Sequence, residues 1–533
     1  MPKRKHFPSV SRNEPGSPAP SSGAHASPSA RGCVLLGEPF FVDATEGPLY
    51  QRHLKRWLSS ESLFQGSRAV AWKSVAGLND SSLYEQQTDC GVLPLFNFSA
   101  TSYYARQGLL APLEELFPNF HQSFLEMGWR RSFVDGYLYS VPLHLSIRLL
   151  FFRRDLLKKH GFDPPRTWAE LESQALYLRR KERPSVPHGL LFNFNPHIRF
   201  SVFLDHIWSQ GGDLYESTPR WTLDRKALDT ALARVKGFFE QGLTPPEVLE
   251  SDYGWAFAEF LAGRSVFLHN WSDGIRMIRQ LPLQEQERFG WCTLPCLEPG
   301  LPGRALIGGP SYVIPRSCRY PQAAAKLMQR LMHPDFQAWY AEKLGWPFPG
   351  LKATYFDARV QMARPYIAEA EGLLQHGKLL EECVYLQQHH LDWQAIGNQE
   401  LTHFLSGTFN RQECIGRMER RFGALLPQPP TTGLAGEAQR RIQLGVERSM
   451  NVAGLARDLN VSPEHLSRVF RRATGQGLLE SIHAAKMERA KALLKQGKLA
   501  VSEVAYRLGF KTPQHFSRVF TQVVKRNPSE FRA

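Results

Sequence analysis

One sequence pattern near the carboxyl end of the chain occurs twice. Residues 452–470 read VAGLARDLNVSPEHLSRVF, and residues 501–520 read VSEVAYRLGFKTPQHFSRVF. The offset between the copies is 49 residues in the first half of the pattern and 50 in the second half. Because apolar, small and turn-forming residues recur at matching positions, both copies are constrained to fold in the same way.

Each copy predicts two helices joined by a tight turn. Apolar residues recur at helical spacing before and after the turn. Asn460 and Gly509 stand where the first helix must end, and both residue types tolerate a left-handed backbone. Residues 462–463 (Ser-Pro) and 512–513 (Thr-Pro) then supply a capping hydroxyl and a first-turn proline. Both copies are therefore predicted to be helix–turn–helix units.

The second helix of each copy has a polar face whose side chains could reach the edges of DNA bases. Arginine pairs best with guanine and glutamine with adenine. The candidate contacts are Glu464, His465, Ser467, Arg468 and Arg471 in the first copy, and Gln514, His515, Ser517 and Arg518 in the second. Residues 479–496 predict one long helix that spaces the two units, so that both enter successive major grooves of double-stranded DNA. The alternative is a basic helical bundle without a DNA role.

The net charge of the chain is concentrated at its ends. Of the formal net charge of +15, +10 falls on residues 435–533 and +4 on residues 1–32, which leaves +1 for the residues between. A basic module of this size favours a polyanionic partner, nucleic acid ahead of membrane. The Pro- and Ser-rich residues 1–32 predict a disordered tail, with a DNA-contacting basic arm as the alternative.

Residues 438–533 resemble the DNA-binding domain of AraC/XylS-family transcription regulators. The resemblance rests on KMERAKALL at 486–494, VSEVAYRLGF at 501–510 and NPSEFR at 527–532. Gly454 departs from the family pattern and should weaken its helix slightly. The resemblance implies a sequence-specific transcription regulator with an all-α tandem helix–turn–helix domain.

The body of the chain, residues 33–424, alternates short apolar runs with amphipathic helices. This alternation predicts an α/β domain with partly parallel sheets. Strands are expected at 33–41, 91–98, 149–152, 265–268 and 311–315, and helices at 169–180 and 223–241. Because the body is too long for a single hydrophobic core, two lobes are expected. The Pro-rich residues 425–437 predict a linker to the basic module.

The body resembles the extracellular solute-binding proteins of ABC importers, the two-lobed receptors of the maltose-binding type. The matching segments keep the family's order and lie at 108–118, 136–142, 150–156, 161–171, 258–264 and 308–315. The resemblance implies an α/β two-lobed fold of the type II periplasmic-binding-protein class, with a small-molecule solute held between the lobes.

Positions carried over from that family give the implied ligand-binding residues. They are Asn97, Phe98, His144, Ser146, Trp208, Asn270, Trp271, Ser311 and Tyr312. Aromatic rings offer flat apolar faces to sugar C–H groups, and the polar side chains supply hydrogen bonds. The resemblance thus implies a carbohydrate ligand. For each aromatic residue, a place in the hydrophobic core is the alternative, and for His144 a structural role.

Nothing in the sequence favours catalysis. Walker, HExxH, GxSxG and GxGxxG motifs are absent, so we expect no enzyme activity, no catalytic residue and no cofactor. Cys292 and Cys296 form the only close pair among seven scattered cysteines, and we expect no metal site. No apolar run approaches the ~18 residues of a membrane helix. Without an export signal or lipobox, we expect a cytoplasmic protein that does not contact a membrane.

The sequence leaves three functions open. The first is a transcription regulator whose solute-binding-like domain senses a sugar or oligosaccharide, with lobe closure biasing the basic module or the formation of a homodimer. The second is a receptor that delivers a solute to an ABC importer. In the third, the receptor-like domain has lost its ligand and serves as a dimerisation or docking platform.

Overall fold

Two mixed β-sheets and a carboxyl-terminal group of helices make up the computed structural model of the chain. The structure describes residues 34–37, 46–59, 70–73, 90–95, 100–118, 120–134, 136–216, 222–251, 253–301, 303–379, 390–425, 433–444, 450–474, 477–495, 499–524 and 527–531.

The first sheet forms the centre of the first lobe. Its strands lie in the order Val70–Lys73, Val34–Gly37, Cys90–Leu95, Ser311–Val313 and Val141–Pro142. Val34–Gly37 is parallel to both of its neighbours, whereas Ser311–Val313 is antiparallel to both of its own. The longer helices before and after these strands are Glu46–Leu58, Ala100–Arg106, Pro321–Leu331 and Pro334–Leu344. Tyr50, Tyr312 and Phe336 belong to the core of this lobe.

The second sheet is organised around one long strand, His144–Arg153, whose ten residues are all buried. The sheet order is Gly377–Lys378, Ala305–Gly308, His144–Arg153, Ser265–Trp271 and His188–Phe192, and two further strands, Phe289–Cys292 and Phe348–Pro349, also pair with the long strand. All four partners of the long strand are antiparallel to it. The helices of this second lobe include Arg154–His160, Trp168–Lys181, Arg199–Trp208, Arg225–Glu240, Tyr253–Leu261 and Asp273–Arg279.

Shorter elements complete the body. The remaining short helices are Glu114–Leu116, Phe120–Ser123, Glu126–Arg130, Pro246–Leu249, Leu283–Gln286, Lys352–Phe356, Ala358–Ala363, Pro365–Glu369 and Ala370–Leu374. Two small hairpins pair Phe133–Val134 with Tyr137–Leu138, and Tyr215–Glu216 with Thr222–Leu223.

Local capping explains why the predicted helices of the body are confirmed. Thr167 and Glu170 form a capping box at the start of Trp168–Lys181. Asp224 accepts a hydrogen bond from the backbone of Ala227 at the start of Arg225–Glu240, and Gly242 follows that helix with a φ of +63°. The strand predicted at 149–152 is longer than expected and spans His144–Arg153, and hydrogen bonds hold its polar residues Ser146, Arg148 and Arg153 inside the sheet.

Two adjacent segments of the described chain lead directly from a strand of one sheet to a strand of the other. Leu143 separates the strands Val141–Pro142 and His144–Arg153, and residues 309–310 separate Ala305–Gly308 from Ser311–Val313. The backbone N–H of Leu143 donates to the carbonyl of Pro310 at 3.0 Å, so the two crossings are hydrogen-bonded to each other. Together they form the hinge of the body.

A helical hairpin ends the body and packs against the second lobe. Its helices are His390–Leu405 and Arg411–Leu425. Trp393 stacks on Phe422 with ring centroids 4.1 Å apart. The carboxylate of Glu400 is fully buried and accepts hydrogen bonds from Arg417 and Arg421. Burial alone would raise the pKa of Glu400, but these two hydrogen bonds lower it overall, so the carboxylate stays ionised.

Seven helices follow in the described part of the carboxyl-terminal region. They are Leu434–Leu444, Val452–Asp458, Pro463–Thr474, Leu478–Lys495, Val501–Arg507, Pro513–Val524 and Pro528–Phe531. Asn460 and Gly509 have φ of 54° and 74°, which confirms the left-handed turn expected in each copy. Among the residues that the structure describes, Asn460 is the only non-glycine residue with a positive φ. Both copies of the repeat are helix–turn–helix units.

We predict that Gly309→Ala destabilises the body by more than about 2 kcal/mol. Gly309 has a φ of +110°, and a Cβ there would lie 2.3 Å from the carbonyl oxygen of His144, at the hinge. Gly300→Ala is the matched control, because Gly300 has a φ of +95° and its Cβ would meet no atom within 4 Å. Calorimetry measures the thermal stability of both full-length variants. An equal loss of stability in the two variants would contradict the clash at Gly309.

Candidate functional site

The second helix of each repeat copy begins at a hydroxyl cap. The backbone N–H of His465 donates to Ser462 Oγ at 3.1 Å, and that of His515 donates to Thr512 Oγ1 at 3.2 Å. The apolar residues of both helices are directed into the domain, with Leu466, Phe470, Phe516, Val519 and Phe520 buried. Matching caps and matching buried residues give the two helices the same inner and outer faces.

The outer faces carry the side chains predicted to contact DNA. In the first copy Glu464, His465, Arg468 and Arg471 are exposed, and in the second copy Gln514, His515 and Arg518 are exposed; Ser467 and Ser517 are half-buried. Within the described part of the chain, Arg468, Arg471 and Arg518 form no ion pair with a carboxylate; Arg468 Nη2 lies 3.4 Å from His465 Nδ1. Their guanidinium groups are therefore available to phosphates or base edges.

A second candidate site lies at the hinge. His144 is the first residue of the long strand, and its imidazole stacks on the indole of Trp346, with centroids 4.0 Å apart. Burial, with a smaller contribution from Arg131, lowers the pKa of His144 to about 3. The imidazole is therefore neutral at physiological pH, with one donor and one acceptor nitrogen.

Polar residues of the second lobe meet this stacked pair. Ser146 Oγ donates to Asp273 Oδ1 at 3.0 Å and lies 3.1 Å from Ser272 Oγ. One turn further along the same helix, the guanidinium of Arg276 lies 4.9 Å from the centre of the Trp346 ring. The arrangement brings a carboxylate, a guanidinium, hydroxyls and an indole together beside the crossings.

At the hinge, buried polar atoms of several side chains have no hydrogen-bond partner among the described residues. They include His144 Nδ1, Ser311 Oγ, Tyr340 Oη and Trp346 Nε1. Each of these side chains is at most 3% exposed. Buried polar groups without partners are costly and uncommon in native proteins, so they indicate a place that a polar ligand or ordered water completes.

The structure separates the predicted ligand residues into groups. His144, Ser146 and Ser311 lie at the hinge, and Asn270 and Trp271 lie at the end of the strand Ser265–Trp271. Trp208 and Tyr312 are core side chains: Trp208 Nε1 donates to Asp213 Oδ1 at 3.1 Å, and the hydroxyl of Tyr312 lies 3.2 Å from that of Tyr50. Asn97 and Phe98 lie outside the described residues.

Sequence reasoning missed Tyr340, Trp346, Ser272, Asp273 and Arg276. Ser272 and Asp273 directly follow the observed strand Ser265–Trp271 and the predicted ligand residue Trp271, and this position could have indicated them. Tyr340 and Trp346 carry no such local signal, because the helix Pro334–Leu344 belongs to the first lobe and reaches the hinge only in the folded chain.

A buried charge network packs against one face of the Trp271 ring. Arg148 donates to Asp205 Oδ2 at 2.9 Å and to Ser201 Oγ at 2.9 Å. The Arg148 guanidinium also lies 4.2 Å from the centre of the Trp271 ring. The cation therefore packs against one face of the indole, which fixes the ring at the end of its strand.

The described residues contain no group of three or more His, Cys, Asp and Glu side chains that could hold a metal ion. None of the helices in the described ranges has both the length and the apolar character needed to span a membrane.

Comparisons with known proteins match two separate segments of the chain to two different families. A family model described as "Bacterial extracellular solute-binding protein" matches residues 86–364, and one described as "Helix-turn-helix domain" matches residues 455–533. The HTH-type transcriptional regulator GlxA of Rhizobium meliloti is 35% identical over 92 residues, which cover 17% of this chain and 28% of the relative. A probable ABC transporter-binding protein of Deinococcus radiodurans is 27% identical over 240 residues, or 44% of this chain and 56% of the relative.

The chain thus spans about half or less of these two relatives' own length. Among solved structures, maltose-bound MalE3 of T. maritima superposes with a TM-score of 0.63 at 21% identity, covering 74% of this chain and all of that structure. This likeness confirms the expected two-lobed periplasmic-binding-protein fold, and the helix–turn–helix match agrees with the two repeat copies. The chain belongs to the bacterial extracellular solute-binding protein family and carries an AraC-type helix–turn–helix domain at its carboxyl end.

Proposed function

We propose that this protein is a cytoplasmic, sequence-specific DNA-binding transcription regulator that responds to a sugar or oligosaccharide. In this proposal residues 33–424 are the sensor, residues 425–437 the linker and residues 438–533 the DNA-binding domain, with residues 1–32 as a tail. The protein acts by binding, without catalysis. The observation that carries the proposal is the pair of matching outer faces, each with an exposed arginine and histidine on a capped helix.

The outer faces favour two different DNA half-sites. The first copy offers Glu464 and Arg471 in addition to Arg468, whereas the second offers Gln514 beside Arg518. Arginine favours guanine, glutamine favours adenine and glutamate accepts from cytosine. The different side chains support an asymmetric recognition sequence with one half-site for each unit.

The hinge supports a carbohydrate ligand. The unpartnered atoms include the donor Trp346 Nε1 and the hydroxyls of Ser311 and Tyr340, which suit a ligand rich in hydroxyl groups. The T. maritima MalE3 structure has maltose bound, which makes sugars the first ligand class to test.

The helical hairpin connects the proposed sensor to the proposed DNA-binding domain. The backbone N–H of Phe200, on a helix of the second lobe, donates to Asn398 Oδ1 at 2.7 Å, and the Arg199 guanidinium donates to the hydroxyl of Thr402. Because the hairpin leads directly into the proposed linker, closure of the lobes would move the DNA-binding domain with the second lobe or alter homodimer formation. Such coupling requires that the ligand bind the closed form more tightly than the open form.

We predict that Arg468→Ala and Arg518→Ala each weaken specific DNA binding by about 1–3 kcal/mol, because each removes a base or phosphate contact. The probe is DNA selected by the wild-type chain from a random pool, and fluorescence anisotropy at fixed salt gives the affinity. Arg52→Ala, which removes an exposed arginine from the first lobe, is the charge-matched control. Unchanged affinity in both recognition-helix variants would contradict the assignment of these faces.

We predict that a carbohydrate raises the thermal stability of the full chain, by about 2.7 kcal/mol at a hundred times its Kd. A screen of monosaccharides, oligosaccharides, amino acids and short peptides tests this by thermal shift. Stabilisation only by amino acids or peptides would overturn the sugar assignment. Stabilisation by no compound would favour a ligand-free docking platform.

We predict that Tyr340→Phe weakens binding of that carbohydrate by about 0.5–1.5 kcal/mol with little change in stability, because its hydroxyl has no partner among the described residues. Tyr366→Phe is the matched control. The Tyr366 hydroxyl donates to the carbonyl of Gly345 at 2.9 Å, so its loss should lower stability and leave ligand affinity unchanged. Calorimetric titration and thermal unfolding separate the two effects, and the opposite pattern would refute the hinge as the ligand site.

A further inference from the structure

The two helix–turn–helix units have separate hydrophobic cores. The first core contains Leu455, Leu466, Phe470 and Ile442, and the second contains Val504, Leu508, Phe516 and Phe520. The helix Leu478–Lys495 contributes to both: Leu478 and Ile482 belong to the first core, and Met487, Ala490, Leu493 and Leu494 to the second. This helix is therefore the structural connection between the two units.

Lys486 lies on that helix at the point where one core ends and the other begins. Ala485 packs against the first core, and Met487 belongs to the second. The side chain of Lys486 is almost completely buried, at 5% exposure, which is unusual for lysine. Its position at this boundary requires that the ammonium group find its partners inside the domain.

Those partners come from both units. Lys486 Nζ donates to the backbone carbonyl of Met450 at 3.2 Å, immediately before Asn451 caps the first helix of the first unit. The same Nζ lies 5.2 Å from the centre of the Phe510 ring, which directly follows the left-handed Gly509 in the turn of the second unit. One ammonium group thus contacts the start of one unit and the turn of the other.

The described groups around the Lys486 ammonium are aromatic rings and a backbone carbonyl. The ring of His483, one turn earlier on the same helix, stacks against Phe510 with centroids 6.3 Å apart, and His515 of the second unit lies 5.5 Å from Phe510. Burial and the neighbouring Lys486 lower the pKa of His483, so that imidazole is neutral. Among the described residues no carboxylate pairs with Lys486. A buried cation without these two contacts would be strongly unfavourable, so its charge favours the one arrangement that supplies both.

We propose that Lys486 is a positioning residue that fixes the orientation of the second helix–turn–helix unit relative to the first, and thereby sets the spacing between the two DNA half-sites. The proposal rests on the DNA binding proposed above. Neither Met450 nor Phe510 lies on a recognition helix, and Lys486 itself is buried. It acts on DNA only through the geometry of the two units.

Spacing is measurable because DNA is helical. One inserted base pair moves the second half-site by about 3.4 Å along the axis and by about 35° around it. Rigidly connected units cannot follow this displacement without losing contacts at one half-site. Units connected loosely can re-orient, so they bind the original and the expanded site with similar affinity.

The experiment compares full-length variants on the DNA that the wild-type chain selects from a random pool. Each is measured on the selected site, on the same site with one base pair inserted between the half-sites, and on each half-site alone. For the wild type we expect the insertion to weaken binding at least tenfold. For Lys486→Met, which keeps the apolar stem and removes the ammonium, we expect a loss of threefold or less, with half-site affinities unchanged within twofold. Lys486→Arg, which retains charge and donors, should keep the wild-type discrimination.

Two further variants separate positioning from stability. Phe510→Leu removes the aromatic face and keeps an apolar side chain, so it should also relax the spacing and serves if Lys486→Met does not fold. Val504→Ala removes buried volume from the second core without touching the Lys486 contacts, so it should lower thermal stability and keep the tenfold discrimination. If Lys486→Met or Phe510→Leu keeps that discrimination, the positioning role is wrong while DNA binding stands. If the wild-type chain selects no DNA, DNA binding fails and the spacing role fails with it.

Discussion

The carboxylate of Asp205 holds the second lobe together. It lies on the helix Arg199–Trp208 and accepts hydrogen bonds from Arg148, from the backbone N–H of Leu306 at 2.7 Å, and from His269 Nε2 at 3.1 Å. These partners lie on three adjacent strands, so one side chain joins a helix to the centre of the sheet. Burial alone would raise the pKa of Asp205, but Arg148 and the hydrogen bonds lower it overall, and the carboxylate remains ionised. A buried pair of this kind is strongly destabilising to break.

The hinge differs from this network in one physical respect. Around Asp205 the carboxylate and the Arg148 guanidinium are paired and hydrogen-bonded, whereas at the hinge His144, Ser311, Tyr340 and Trp346 each present a buried polar atom without a partner in the described structure. A satisfied network stabilises a lobe, and an unsatisfied one favours a ligand that completes it. The long strand His144–Arg153 contains both environments, since Arg148 lies in the network and His144 at the hinge. The strand that the Asp205 network anchors at Arg148 therefore also positions His144 at the hinge.

The carboxyl-terminal helices divide their surfaces in a similar way. Their inner faces form two small cores, and their outer faces carry the exposed arginines. A helix shared by both cores connects the units, with Lys486 between them. Stability therefore comes from the inner faces, and the outer faces can differ between the copies without affecting the fold. This division explains why the inner pattern repeats while Glu464 and Gln514 occupy the same position in the two copies.

The sequence by itself determined the elements whose causes are local. The repeat, the turn residues Asn460 and Gly509, the hydroxyl caps and the helix bounds follow from interactions between residues a few positions apart, and the structure confirms them. The family resemblance added the two-lobed fold. Tertiary structure alone decided which aromatic side chains are core and which reach the hinge: Trp208 and Tyr312 pack inside lobes, while Trp346 stacks on His144. It also decided the partners of Arg148 and Lys486. Such contacts join residues far apart in the chain, and their existence depends on how whole elements pack, which no local pattern encodes.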